Sequence, residues 1–169
     1  ELAKALDHIV YLDKDTLIPL SKQIFVVANQ EYNRSSDFFE EHIRDYEYST
    51  ILDLAFEALD YDNKVLINAP FTQEIRDMDY INDLKEKLAK KGAQLVVVWV
   101  QTSKEVCKQR MIDRNSDRDT WKLEHWDEYI AECNFETPTN LASDDPTDLI
   151  IFKNSSKEEF NESITEIKA

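Results

Sequence analysis

The stretch His8-Ile-Val-Tyr-Leu-Asp-Lys-Asp-Thr-Leu17 joins a short apolar run to two carboxylates, and the other segments are interpreted around it. Residues 9–12 are predicted to form a strand, and Asp13 and Asp15 follow at its carboxyl end. In parallel α/β sheets, ligands bind just beyond the carboxyl ends of the strands. The two carboxylates are therefore expected at the edge of the sheet where a ligand would bind.

Strands and helices are predicted to alternate along the chain. Short apolar runs predict further strands at 64–68, 95–100 and 148–152, and the continuous β-branched run at 95–100 is typical of a strand covered on both faces. Helical spacing predicts helices that include 80–91, ended by Gly92, and 103–114, capped by Ser103. Ser155 and Glu158 form a predicted capping box for the last helix. This alternation predicts a three-layer αβα sandwich around a parallel sheet.

Length and composition define the class of protein. The 169 residues, 42% of them hydrophobic, predict a single domain spanning 1–169. The net charge of −15 argues against general affinity for nucleic acid or an anionic membrane. Two cysteines without metal-type spacing indicate reduced thiols in a cytoplasmic protein. No apolar run is long enough to span a bilayer.

The acidic turn could serve phosphoryl transfer. In such chemistry one carboxylate binds Mg²⁺ and another accepts a proton from the substrate hydroxyl, which suits the pair Asp13 and Asp15. The alternative is an ordinary solvated acidic turn, because aspartate is common in turns.

A second candidate is a run of basic residues spaced by four: Arg110, Arg114, Arg118 and Lys122. On a helix and its continuation this spacing places cations on one face, where they could neutralise a transferring phosphoryl group. Aspartates lie between them at 113, 117 and 119, so the alternative is a surface helix with salt bridges.

Several segments together resemble a known family. They are Leu-Ala-Lys-Ala-Leu6, Tyr-Leu-Asp-Lys-Asp-Thr-Leu17, Val-Leu-Ile-Asn-Ala-Pro-Phe-Thr72, Gln-Leu-Val-Val-Val-Trp-Val100 and Arg118-Asp-Thr-Trp-Lys-Leu-Glu-His-Trp126. Their order and spacing are similar to bacterial P-loop ATP-binding proteins, in the branch that includes zeta toxin, chloramphenicol phosphotransferase and gluconate kinase. The resemblance covers nearly the whole chain.

The resemblance implies a P-loop NTPase fold of the kinase type that binds ATP and Mg²⁺. Its phosphates would rest on a Gly-x-x-x-x-Gly-Lys-Ser/Thr loop between the first strand and first helix. The sequence has one glycine, Gly92, where average usage would give roughly 12. The partial helix at 1–6 also has no capping residue before it. The expectation is that the first strand and its loop are missing, which leaves four of five parallel strands.

Site residues are carried over by position. Asp15 resembles the carboxylate that activates the acceptor hydroxyl, with Asp13 as a magnesium ligand or supporting group. Arg110, Arg114 and Arg118, with Lys122, resemble nucleotide-binding residues of a lid at about 114–130. The resemblance places three further arginines toward the acceptor: Arg34, Arg44 and Arg76. Asn68 departs from the pattern, since many relatives have aspartate at that strand end.

The sequence thus predicts an ATP-dependent phosphotransferase acting on a small-molecule hydroxyl, or an ATPase. One alternative is a zeta-type toxin kinase that acts on a sugar nucleotide and pairs with a small antitoxin. Another is a domain without a nucleotide site that serves as an interaction module. A polynucleotide kinase is disfavoured by the acidic charge. The expectation for partners is no nucleic acid and no membrane, with a homodimer left open.

Overall fold

A computed structural model describes residues 2–142 and 145–168 of the chain. The strands are β1 (Val10–Asp13), β2 (Val65–Asn68), β3 (Val97–Gln101) and β4 (Leu149–Lys153). The helices are α1 (Leu2–Ala5), α2 (Ile18–Val27), α3 (Asp37–Phe39), α4 (Asp45–Ala58), α5 (Met78–Lys90), α6 (Lys104–Arg114), α7 (Thr120–Glu124), α8 (Trp126–Glu132) and α9 (Lys157–Lys168). A segment of π-helix, Glu40–Arg44, joins α3 to α4.

The chain divides into two compact units: a first unit of residues 7–70, and a second unit of residues 2–6 with the described residues from 71 onward. In the first unit, β1 and β2 pair in parallel with Val10 opposite Val65. Helix α4 packs on both strands and buries an apolar stripe that includes Ile51 and Ala55. Phe25, Phe39 and Ile43 form a further core cluster.

In the second unit, β3 and β4 also pair in parallel, with Val97 opposite Leu149. Ile75, Ile81 and Leu141 form the buried cluster of this unit, and residues of both strands pack against it. Helix α9 covers β4, where Phe160 meets Phe152 edge to face with ring centroids 5.4 Å apart. Such offset aromatic pairs stabilise a core beyond their buried area.

The helix ends mostly follow the predicted signals. Gly92 ends α5 with a left-handed φ of 68°, and the Ala93 N–H donates to the Leu88 carbonyl over 3.0 Å, which is a Schellman motif. Ser103 caps α6 by accepting the Val106 N–H over 3.3 Å. The capping box predicted at Ser155 and Glu158 is wrong by one residue.

At that box, Ser156 Oγ accepts the Glu159 N–H over 3.1 Å, and the Glu159 carboxylate accepts the Ser155 N–H over 2.7 Å. The sequence admits both registers, because two serines precede two glutamates at the same spacing. In the register one residue later Ser156 is the cap, and the Glu159 carboxylate accepts the N–H of Ser155, the residue before the cap, so two backbone donors are satisfied in a variant of the capping box.

The expected α/β class with parallel strand pairing is confirmed, but the described strands form two two-stranded sheets where a single sheet was expected. The prediction that the 95–100 strand is covered on both faces is wrong. Val96 and Val100, which fall on the same face of this strand, are 44% and 53% exposed, so that face is not fully covered. The P-loop NTPase fold and the single domain of 1–169 stay predictions. The helix expected at 1–6 is present as α1, and residues 1, 143, 144 and 169 lie outside the described residues.

Among the helices that the structure describes, none has the length and apolar character needed to cross a bilayer.

Candidate functional site

The turn after β1 carries the two predicted carboxylates. Asp13 is the last residue of β1, and Lys14–Leu17 form one turn of 3-10 helix directly after it. The Asp13 Oδ1 atom accepts a hydrogen bond from the Asp15 N–H, with the two atoms 3.0 Å apart. This is the geometry of a helix N-cap. Asp13 therefore fixes the turn on which Asp15 lies.

Asn68 lies beside Asp13 at the end of the neighbouring strand, because the parallel register pairs these two residues. The Asn68 Nδ2 atom donates to Asp13 Oδ2 over 3.2 Å, and the Tyr11 hydroxyl donates to the same oxygen over 2.9 Å. Burial, together with the hydrogen bond to Asp13, raises the pKa of Tyr11. The Asp13 carboxylate is thus held by three donors from its own unit.

Lys14 separates the two aspartates, yet its side chain points into the protein. It is 5% exposed, and its Nζ lies 2.7 Å from the Oε2 of Glu47, a residue of α4 that is 4% exposed. Burial would raise the pKa of Glu47, but hydrogen bonds from Arg34, Lys14 and Ser21 outweigh it and lower the pKa to about 2. Glu47 is therefore a buried, ionised carboxylate directly behind the acidic turn.

Arg34 and Arg44, which the resemblance places toward the acceptor, both lie in the first unit. Arg34 binds Glu47 through both terminal nitrogens, each 2.7 Å from a carboxylate oxygen. Burial would lower the pKa of Arg34, but its hydrogen bonds to Glu47 raise it. The buried Arg44 donates to Asp45 over 3.1 Å, and its guanidinium lies 4.4 Å from the ring centroid of Tyr48. Both arginines thus have extensive contacts within the protein.

Arg76, the third arginine assigned to the acceptor, lies in the second unit at the end of a short 3-10 turn, Glu74–Arg76. Its Nη2 donates to the backbone carbonyl of Glu136 over 2.7 Å, and its guanidinium lies 5.8 Å from the ring centroid of Trp99. Arg76 therefore ties the segment around Glu136 to the region near β3.

The basic residues spaced by four do not share one continuous helix. Helix α6 ends at Arg114, because Asn115 adopts the left-handed conformation with φ 46°. Arg118 follows in a separate 3-10 turn, Asp117–Asp119, and Lys122 lies in α7. Asparagine is the residue that most often replaces glycine at this capping position. The chain therefore changes direction between Arg114 and Arg118.

Arg114, Arg118 and Lys122 nevertheless lie close together around Asp119 in the second unit. Arg114 donates through Nε and Nη2 to Asp119 Oδ2 over 2.8 and 2.6 Å, and Asp119 is 1% exposed. Burial lowers the pKa of Lys122, the charge of Asp119 opposes this, and the charges of Arg118 and Arg114 add to it. Arg110 is exposed on α6. Arg114 therefore forms an ion pair with Asp119 inside the protein.

The described residues contain no group of three or more histidine, cysteine, aspartate or glutamate side chains that could hold a metal ion. Asp13 and Asp15 offer two carboxylates at the end of β1. This number suits Mg²⁺ that arrives with a phosphate ligand, because protein sites for nucleotide-bound Mg²⁺ commonly supply one or two carboxylates.

Glu47 is the residue of this region that sequence reasoning missed. A signal was present in the sequence, since Glu47 precedes Ile51 by four residues and so falls on the face of α4 that carries the apolar residues Ile51 and Ala55. A carboxylate on a buried helix face needs a charged partner. Lys14, 33 residues earlier in the chain, supplies it.

No protein-family profile and no curated protein matches the chain.

Proposed function

We propose that the chain is an ATP-dependent phosphotransferase that moves the γ-phosphoryl group of ATP to a hydroxyl of a small molecule. The observation that carries this proposal is the acidic turn. Asp13 and Asn68 lie side by side at the carboxyl ends of two parallel strands, and Asp15 follows in the next turn. Reactive groups of α/β enzymes are found at this edge of a sheet. The sequence resemblance assigns the same acidic turn to the acceptor side of a kinase site.

Asp15 is proposed as the catalytic base. In phosphoryl transfer such a carboxylate orients the acceptor hydroxyl and receives its proton as the oxygen bonds to phosphorus. Asp13 is proposed as the residue that holds Asp15, because its carboxylate already accepts the Asp15 N–H. When Mg²⁺ is bound it neutralises phosphate charge, and Asp13 is the side chain proposed to contact it or one of its waters, which leaves the Asp15 carboxylate to accept the proton.

The nucleotide-binding part of the proposal rests on basic residues and on a loop. Arg110, Arg114, Arg118 and Lys122, which belong to the second unit, stay predictions of the sequence resemblance as nucleotide-binding residues. A Gly-x-x-x-x-Gly-Lys loop requires two glycines, and this sequence has one. The proposal therefore assigns the phosphate-binding loop to a segment outside these 169 residues.

Nucleotide binding and phosphoryl transfer by the full gene product test the proposal. ATP with Mg²⁺ should raise the melting temperature, and γ-labelled ATP should label a hydroxyl compound from a panel of sugars, nucleosides and amino alcohols. Asp15→Asn should leave the ATP-induced shift intact and reduce transfer by about 100-fold or more, as expected for a lost general base.

Asp53→Asn is the matched control, because Asp53 is an exposed aspartate of α4 and the substitution removes the same charge. This variant should transfer phosphate at the wild-type rate. The absence of any thermal shift at millimolar ATP and Mg²⁺ would overturn the proposal. Transfer that is unchanged in Asp15→Asn would remove Asp15 from the role of base.

A further inference from the structure

The buried carboxylate of Glu47 joins three segments of the first unit. Its Oε2 accepts from Lys14 Nζ and from Arg34 Nη2, each over 2.7 Å. Its Oε1 accepts from Arg34 Nη1 over 2.7 Å and also from the Ser21 hydroxyl. Ser21 is 2% exposed. Glu47 therefore connects α4 with the turn after β1, with α2 and with the segment that carries Arg34.

The contact with Lys14 bears directly on the acidic turn. Lys14 is the residue between Asp13 and Asp15, so the direction of its side chain fixes the backbone from which Asp15 projects. Placing an ammonium group in the interior is unfavourable unless an anion pairs with it. Glu47 supplies that anion from a helix that itself packs on β1 and β2. The turn is thus tied through Lys14 to a helix that packs on both strands of its unit.

Aromatic rings add to this support. The Lys14 Nζ lies 5.1 Å from the ring centroid of Tyr48, and the Arg34 guanidinium lies 4.4 Å from the ring centroid of Phe39. A cation over an aromatic face is attracted by the ring quadrupole. Each cation that Glu47 binds is therefore also oriented by a ring, which restricts the rotamers available to Lys14 and Arg34.

We propose that Glu47 is a positioning residue of the candidate site: it holds Lys14, and through Lys14 it sets the orientation in which the turn presents the Asp15 carboxylate. This inference rests on the proposed function, in which Asp15 contacts the acceptor. Arg34 also contributes to this positioning, because it binds the same carboxylate of Glu47. Its bidentate contact fixes the Glu47 carboxylate in the plane that Lys14 requires, because an Arg–carboxylate fork permits few orientations.

A double-mutant cycle between Glu47→Gln and Asp15→Asn tests the inference, with kcat and KM for ATP measured on the full gene product. Glu47→Gln should lower kcat about 10-fold to 100-fold, the loss expected from a small displacement of a reacting group. The KM for ATP should stay within about threefold, since ground-state binding is not affected. In the Asp15→Asn background, Glu47→Gln should have no further effect on kcat.

Two further variants separate positioning from general structural damage. Glu47→Asp keeps the charge and should recover part of the lost kcat, whereas Glu57→Gln, an exposed substitution on α4, should leave kcat unchanged. Equal losses of kcat in both Asp15 backgrounds would overturn the inference. If Glu47→Gln does not fold, Ser21→Ala removes a single donor to the same carboxylate and should show a smaller loss with the same dependence on Asp15.

Amide hydrogen exchange gives a readout that does not depend on activity. In Glu47→Gln, protection of the Asp15 amide should fall at least about tenfold more than protection of the Ile51 amide, which reports opening of the α4 core. An equal change at both amides would overturn the positioning role. A wild-type protein that transfers no phosphate, but shows this selective loss at Asp15, would refute the proposed reaction and leave the support of the turn by Glu47 established.

Discussion

Substituting Glu47 with glutamine should destabilise the first unit by several kcal/mol at neutral pH. The change keeps the size of the side chain and removes its charge, so Lys14 and Arg34 lose their shared anion. Lys14 is 5% exposed, so its ammonium group has little contact with bulk water in this conformation. Removing one member of a buried ion pair costs about 3–5 kcal/mol, because the other charge stays behind without compensation.

The lowered pKa of Glu47 expresses the stabilising effect of the same contacts as a dependence on pH. Its fall from an ordinary value of 4.5 to about 2 corresponds to about 3 kcal/mol, at about 1.36 kcal/mol per pH unit. Since the pKa is lower in the folded state, the ionised carboxylate stabilises the fold fully above pH 4.5, and this contribution is lost as the pH falls toward 2. The stability difference between wild type and Glu47→Gln should therefore be constant above about pH 5 and shrink below pH 4.5.

Urea unfolding followed by circular dichroism measures the difference in stability between wild type and Glu47→Gln. The measurements are made at pH 7, 6 and 3, because near the sequence pI of about 4.5 the low net charge favours aggregation. Glu57→Gln serves as the control for the loss of one negative charge on the exposed face of α4. Carboxyl carbon NMR adds a direct measurement. The Glu47 resonance should stay constant from pH 7 down to about 3, while glutamates of the urea-unfolded chain titrate near about 4.3.

Two results would refute this account of Glu47. The first is a loss of stability at pH 7 that is the same for Glu47→Gln and Glu57→Gln. The second is a Glu47 titration midpoint above 4, since that value would mean that Lys14 and Arg34 do not favour the ionised form.

Two further substitutions test the second unit. Asp119→Asn should lower the unfolding free energy by about 1–2 kcal/mol, because a charge-assisted contact to Arg114 is lost while the side chain of Arg114, which is 44% exposed, becomes hydrated again. The same substitution in an Arg114→Ala background should have no effect on stability. If thermal denaturation shows additive losses for the two substitutions, the pairing is contradicted. Gly92→Ala should lower the unfolding free energy by about 1 kcal/mol, because the φ of Gly92 is 68° and an added Cβ meets nothing within 4 Å, so only backbone strain remains. Urea unfolding measures this loss, with Lys90→Ala as the control substitution in the same helix end. An unchanged stability in Gly92→Ala would contradict the left-handed cap.

The positions of the strands followed from local sequence pattern. Apolar runs predicted strands at 9–12 and 64–68, and the structure has Val10–Asp13 and Val65–Asn68. Such runs are informative because a buried strand must be apolar along its length and must end where a polar residue meets solvent. The placement of Asp13 beside Asn68 then follows from parallel pairing alone. The acidic turn was therefore accessible to sequence reasoning.

Contacts between residues that are distant in the sequence could not be predicted from local pattern. The pairing of Lys14 with Glu47 spans 33 positions, and no local pattern specifies which cation a buried carboxylate will meet. The end of α6 at 114 was predicted, but the change of chain direction at Asn115, which separates Arg118 and Lys122 from that helix, was missed for another reason. Asparagine only sometimes adopts the left-handed conformation, whereas glycine at Gly92 gave a signal that could be used directly.

The balance of charges explains why basic residues were the weaker guide to a binding site. The sequence has 35 acidic residues for 20 basic ones, so each cation has several anions that could pair with it within the fold. Arg34 with Glu47 and Arg114 with Asp119 are two such pairs, and each binds a carboxylate that is almost fully buried. A buried carboxylate needs a cation more than an exposed cation needs a carboxylate, because desolvation is costly only in the interior. In an acidic chain, spacing among arginines therefore predicts ion pairs at least as well as it predicts a phosphate site, and the acidic turn at the end of β1 is the stronger basis for the proposed function.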